Sequence, residues 1–318
     1  MATLGALGSV SPSWAQGEPG AASAPVSLGI VTFEGSERYR MTSSTVGRDY
    51  IIDVYRIDPP GPPPAPDAQL PVVFVTDADI WSTLASSVAR ASAMNGQLPS
   101  MLVVGIAHAI DSSPGALPPP VQSASRRATD FTPVHDESYL EGVRPFTQEI
   151  FGVPWPDDMP LGGADRFLAF IDNELKPFIA EQYPANLEDT TLVGSSLGGL
   201  LTLHALFASA DSFARYIAIS PSAQYGDGFL LEQEERLAAD ASKHVFIGVG
   251  AQDIPEIAEA VSRLHARIEG RSRPNLKYDF AVFEGATHES IFPGGLMAGL
   301  RFVFEAPTPS YVAPGGQR

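Results

Sequence analysis

Apolar residues recur along this chain with two different periods. Residues 70–75 (Leu-Pro-Val-Val-Phe-Val) and 101–106 (Met-Leu-Val-Val-Gly-Ile) are apolar almost without interruption, as strands buried on both faces of a parallel sheet are. Segments 26–33, 39–44 and 50–57 alternate, or carry β-branched and aromatic residues between turn signals, and read as strands. From residue 164 onward the two periods take turns. Helices are predicted over 164–182, 197–209, 229–240, 254–268 and 291–304, and strands over 190–193, 216–220, 244–249 and 276–283. One further helix is predicted over 80–94. Antiparallel strands followed by strand–helix repeats predict an α/β fold built on a doubly wound, mostly parallel sheet. Two stretches fall outside both periods. Residues 59–68 are a Pro/Gly/Ala loop, and residues 108–163, rich in Pro, Asp and Ser, read as a long loop insertion of the kind that is functional or mobile. The predicted organisation is one domain over 26–306, with tails at 1–25 and 307–318.

Between the strand at 190–193 and the helix at 197–209 the chain reads Gly194-Ser195-Ser196-Leu197-Gly198-Gly199. Glycines permit a tight turn and Ser is a good helix N-cap, so the pattern by itself is weak. Its setting is more specific. A nucleophile elbow needs a strand, a sharp turn and a helix in that order, with small residues flanking a Ser in the frame G-x-S-x-G. Ser196 occupies that frame, and Ser195, one residue out of it, is expected to be structural.

Composition narrows the function class. The 318-residue chain is 44% hydrophobic, and has no apolar run long enough for a transmembrane helix. Its net charge of −17 argues against nucleic acid and anionic membrane surfaces as partners, since phosphate binding relies on Lys and Arg. It contains no cysteine, which excludes disulfides, thiolate metal sites and a Cys nucleophile. A small apolar start followed by Ser13-Trp14-Ala15 and Gln16 fits a signal-peptidase site, without a positively charged n-region. Export to the periplasm or medium, with residues 1–15 the remnant of a signal peptide, stands beside a plain N-terminal tail on a cytoplasmic protein. The oligomeric state is not encoded in any pattern here.

A serine nucleophile needs a base. Of the six histidines, His204 on the helix after the elbow is expected to pack, and His244 and His265 to be solvated or capping groups. His108 and His135 border the insertion, where either could touch substrate. His288 lies in Glu284-Gly285-Ala286-Thr287-His288, just beyond the last strand, at the sheet edge where open α/β folds bind ligands. The order Ser, acid, His then calls for a carboxylate after strand 244–249. Asp253 is the first choice and Glu256 the alternative; capping of the following helix is the competing reading of Asp253. The oxyanion hole is expected to use the backbone N–H of Leu197 and that of Ala78 or Asp79, in the turn after strand 70–75.

These residues carry a resemblance. From about residue 48 to 304 the chain resembles the esterase branch of the α/β hydrolases, which includes enterochelin and other ferric-siderophore esterases, S-formylglutathione hydrolase and the mycobacterial mycolyltransferases. Thr76-Asp77-Ala78-Asp79 is similar to that family's "LDGD"-like turn, Arg127 to Pro133 to its "RxxDFTP" segment, and Gly162 to Leu168 to its "GGAxxFL" helix start. The elbow and Ser220-Pro221-Ser222 follow in the family's order. The resemblance implies an α/β-hydrolase fold and a Ser–His–acid carboxylesterase that needs no metal or organic cofactor. It implies a small-molecule ester as partner, with Arg127, Trp81 and Tyr225 as candidate substrate contacts. Where siderophore esterases carry a tryptophan pair after "SPS", this chain has Ala223-Gln224-Tyr225. With that wall absent and the net charge at −17, neutral short-acyl or aromatic esters are expected to be better substrates than anionic ferric siderophores. Acyl transfer to an alcohol and a non-catalytic binding protein are the competing readings.

Overall fold

A computed structural model describes residues 33–306, apart from positions 63, 66, 157 and 158. The predicted strand over 26–33, except its last residue, and both predicted tails lie outside the described residues. One eight-stranded sheet organises the rest, in the order β1-β2-β4-β3-β5-β6-β7-β8. Strands β1 (Ser36–Thr42) and β2 (Asp49–Ile57) are antiparallel, and β2 also runs antiparallel to β4 (Met101–His108). The remaining neighbours are parallel: β3 (Leu70–Thr76), β5 (Ala185–Ser195), β6 (Arg215–Ile219), β7 (His244–Gln252) and β8 (Lys277–Thr287).

The uninterrupted apolar runs have the predicted cause. In β3, Val72 and Phe74 enter one core while Val73 and Val75 enter the other. In β4, Leu102 and Val104 divide from Met101 and Val103 in the same way. A strand covered on both faces has no polar side to show. The second core lies under α1 (Ala78–Met94) and α9 (Phe292–Val303). The first lies under α4 (Ala164–Phe170), α5 (Lys176–Gln182), α6 (Leu197–Ala208) and α8 (Pro255–Glu269).

Two predicted elements differ in detail. The helix expected over 164–182 forms, but its middle turn, Ile171–Leu175, is a π-helix joining α4 to α5. The insertion is partly helical: it contains α2 (Pro119–Phe131) and α3 (Glu137–Phe151). Helix α2 was hidden by its proline-rich start; prolines at the first turn of a helix cost nothing there. The short helix α7 (Tyr225–Gln233) precedes β7.

Candidate active site

Strand β5 delivers the chain to Ser195, and α6 begins at Leu197, leaving Ser196 alone at the corner with φ 59° and ψ −119°. That backbone region is nearly forbidden to residues with a Cβ, so the position is strained. Its amide is tied to Ile219 O at 3.0 Å and its carbonyl accepts Leu200 N at 2.9 Å, which fix the corner. The surrounding glycines are sterically required. A Cβ on Gly194 would lie 2.0 Å from Gly198 O, one on Gly198 2.5 Å from Thr76 Oγ1, and one on Gly199 2.8 Å from Pro221 Cα. Ser195 is buried and Ser196 half-exposed, as their places in the frame predict.

The adjacent strand β3 ends in a similar way. Asp77, at φ 52° and ψ 47°, precedes the first residue of α1. Because β3 pairs with β5 in parallel, Val75 opposite Val193, the two helix N-termini emerge side by side. The N–H groups of Leu197, Ala78 and Asp79 precede the first intrahelical bonds and remain available to an anion. Arg127 of α2 joins the two turns: its Nε lies 2.8 and 2.9 Å from the Asp77 carboxylate oxygens, and its Nη2 donates to Ser195 O at 3.1 Å. Burial pushes the Asp77 carboxyl above the usual range, and the Arg127 guanidinium opposes that shift. Asp79 accepts a hydrogen bond from Ser123 Oγ, also on α2, at 3.3 Å.

At the far side of the sheet, His288 follows β8 and Asp253 follows β7. Gln252 and Thr287 are register partners, so the next residue of each strand comes together. His288 Nδ1 lies 2.8 Å from Asp253 Oδ1, with side-chain exposures of 16% and 0%. This contact leaves Nε2 as the free ring nitrogen. The carboxylate is held from three more directions: Ile254 N donates to Oδ1 at 2.8 Å, Gly250 N to Oδ2 at 3.3 Å, and Ser220 Oγ to Oδ2. Glu256 is exposed in the first turn of α8 and makes no such contact. Ser196 Oγ hydrogen-bonds Ser222 Oγ at 3.3 Å and makes no hydrogen bond with His288. Such bonds often tighten only when substrate is bound.

The other histidines have separate partners. His108 is buried against Asp130 at 3.0 Å, so it faces the core and not a substrate. His135 contacts Glu137, His204 Asp165, His244 Glu305, and His265 the Tyr278 hydroxyl. Two of the candidate substrate contacts also prove to be built into the scaffold. Trp81 stacks on Phe292 at 4.1 Å, and Tyr225 is 4% exposed with its hydroxyl on Val134 O at 2.9 Å. Tyr225 therefore offers no free aromatic wall; it anchors the insertion, as does Gly226 N, which donates to Asp136 Oδ2 at 2.9 Å.

Sequence reasoning missed Ser220 and Ser222 as parts of the site. They sit just beyond β6, between nucleophile and acid. Ser220 is fully buried at φ 42°, and Ser222 N donates to Ser196 O at 3.0 Å. Their place in the family motif was the only available signal, because neither the left-handed backbone nor the contact with Asp253 can be read from residue types.

The family described as "Putative esterase" matches residues 153–303, from the end of the insertion through α9. The ferri-bacillibactin esterase BesA of Bacillus subtilis is 29% identical over 290 residues, covering 87% of this chain and 92% of that protein. A siderophore triacetylfusarinine C esterase of Aspergillus fumigatus is 26% identical over 266 residues, covering 74% of this chain and 82% of that protein. Among solved structures, the BES protein of Bacillus cereus superposes with a TM-score of 0.72 at 28% identity, covering 90% of this chain and all of that one. Among the described residues no helix is long and apolar enough to cross a membrane. The motifs, the sheet order and these similarities agree: residues 153–303 match the putative-esterase family, the fold is that of the α/β hydrolases, and the chain is an ester-hydrolysing enzyme.

Proposed function

We propose that the protein hydrolyses ester bonds of siderophores, with Ser196 as nucleophile, His288 as base and Asp253 as the acid that orients it. The observation that carries this reading is the His288–Asp253 pair, 2.8 Å apart, on the same sheet edge as a serine in a strained elbow. Asp253 on Nδ1 keeps Nε2 free to take the Ser196 proton as Oγ adds to the ester carbonyl. The oxyanion forms against the N–H of Leu197 and that of Ala78 or Asp79. The alcohol departs with the proton held on Nε2, leaving an acyl-Ser196 that water, deprotonated by the same nitrogen, then cleaves. The substrate class comes from the relatives, whose names are siderophore esterases over most of this chain's length. Net charge argues the other way, toward neutral esters. The two are separated by comparing kcat/KM for a ferric tris-catecholate lactone and for p-nitrophenyl butyrate. A higher value for the lactone is expected; a clear preference for the butyrate would limit the reading to a general carboxylesterase.

Within this reading Ser220 is a positioning residue for the acid. Removing its hydroxyl takes one donor from a carboxylate that must stay ionised and aligned, so Ser220→Ala is expected to lower kcat about tenfold with little change in KM. Ser220→Gly separates hydroxyl from backbone, since glycine is at ease at φ 42°. Both variants losing activity together assigns the effect to the hydroxyl. A Ser220→Gly enzyme with wild-type kcat would assign it to backbone strain instead.

A further inference from the structure

On the same edge of the sheet, two strands away from the nucleophile, lies an open cleft of about 630 Å3. It sits where β4 leaves the sheet, and its walls include Arg40, Arg48, Arg126, Asp49 and Asp111. In a chain of net charge −17, three guanidinium groups at one cleft are a local reversal of sign. They are not equally neutralised. Arg40 pairs with Asp49 at 3.0 Å and Arg48 with the buried Asp130 at 3.3 Å. Arg126, half-buried, donates to the carbonyl of Ala109, and among the described residues no carboxylate lies within 4.0 Å of its guanidinium. Burial and the nearby Arg48 charge lower its affinity for the proton by more than the surrounding Asp111, Asp130 and Asp49 carboxylates, none of them in contact, raise it. Asp111 acts on Arg126 only from a distance: its Oδ1 accepts from Ser113 N at 2.8 Å, within its own loop.

Helix α2 connects this cleft to the reaction site. Gln122 and Arg126, four residues apart and so on one face, hold the segment leaving β4: Gln122 Nε2 donates to Asp111 O and to Leu117 O, and Arg126 reaches Ala109. Ser123 and Arg127, on the adjoining face, hold Asp79 and Asp77 of the oxyanion turn. One rigid element thus lies between cleft and nucleophile. Strand order gives the spacing: the end of β4, where Arg126 binds, is two strand intervals or about 10 Å from β5, and Arg40 on β1 is four intervals or about 19 Å from it.

We propose that the cleft is an anion subsite that binds an oxyanion-bearing arm of the ester, a carboxylate or acidic hydroxyl carried about 10 Å from the scissile carbonyl. Arg126 supplies the unneutralised charge and Arg40 the exposed rim. The inference rests on the esterase reading for its substrate but not for its test. Net charge then ceases to predict substrate sign, because short-range contacts with a half-buried guanidinium outweigh a field screened over about 8–10 Å of salt solution.

An equilibrium titration followed by NMR on Ser196→Ala protein, which needs no turnover, compares monomethyl suberate with dimethyl suberate. The monoanion is expected to bind about tenfold tighter, with the difference shrinking as salt is added. Adding Arg126→Ala is expected to remove that difference, and Arg40→Ala, at an exposed position, to reduce it. Equal binding of the two ligands to the Ser196→Ala protein, or a preference for the monoanion that persists without Arg126, would overturn the proposal. Hydrolysis of p-nitrophenyl octanoate by the otherwise unaltered enzyme reads the catalytic assignment separately, so the two can fail independently.

Discussion

Ser196→Ala is expected to leave a folded protein whose kcat is at least about a thousandfold below that of the parent enzyme. The size follows from what is lost. Without Oγ no acyl-enzyme can form, and the remaining oxyanion donors and binding contacts can only assist direct attack by water. Folding should survive because the corner is held through backbone atoms, Ser196 N to Ile219 O and Leu200 N to Ser196 O, and because alanine suits the φ of 59° no worse than serine does. The hydroxyl's own contact, with Ser222 at 3.3 Å, is long and weak. Ser195→Ala is the control. Its side chain is buried and its carbonyl, which the substitution keeps, is what Arg127 binds, so most activity should remain. An organophosphonate should label Ser196 irreversibly; a label on Ser195 in an active enzyme would remove the elbow assignment.

His288→Ala is expected to be nearly as damaging, since nucleophile and base act as one unit. Removing the imidazole leaves Ser196 without a group to accept its proton. Asp253→Asn should cost about a hundredfold or more: an amide on Nδ1 can present its NH2 and favour the wrong tautomer, and its other contacts, from Ser220, Gly250 and Ile254, are set for a carboxylate. Glu256→Gln should have little effect, as the side chain is exposed and outside the pair. The reverse order of effects would move the acid to Glu256, and two mild effects would indicate a Ser–His dyad.

The place of His288 beside Asp253 had a signal in the sequence, since His288 follows the last strand while the other five histidines lie on helices, on strands or beside the insertion. The choice between Asp253 and Glu256 was not legible, since both stand in the same turn with the same chemistry. Register decided it: Gln252 opposite Thr287 brings residue 253 beside residue 288 and leaves residue 256 turned away on α8. Arg127 shows a different limit. Its motif identified it as belonging near the substrate, yet its guanidinium is engaged by Asp77 and Ser195 O, so what it does is hold two turns together. Tyr225 was likewise placed near the site by the family motif, and its side chain is buried.

Local pattern by itself determined most of the strands, the helices outside the insertion, the elbow and the serine within it. Each depends on periodicity over neighbouring residues or on glycines that no larger side chain could replace. Tertiary structure alone decided which acid meets the histidine, what holds that acid, and where the arginines gather. Arg40, Arg48 and Arg126 are spread over three separate segments, and only the antiparallel return of β2 beside β4, with α2 laid against it, brings them to one cleft. Contacts between residues far apart in the chain are set by strand order and register, which residue types constrain only through the packing of the whole.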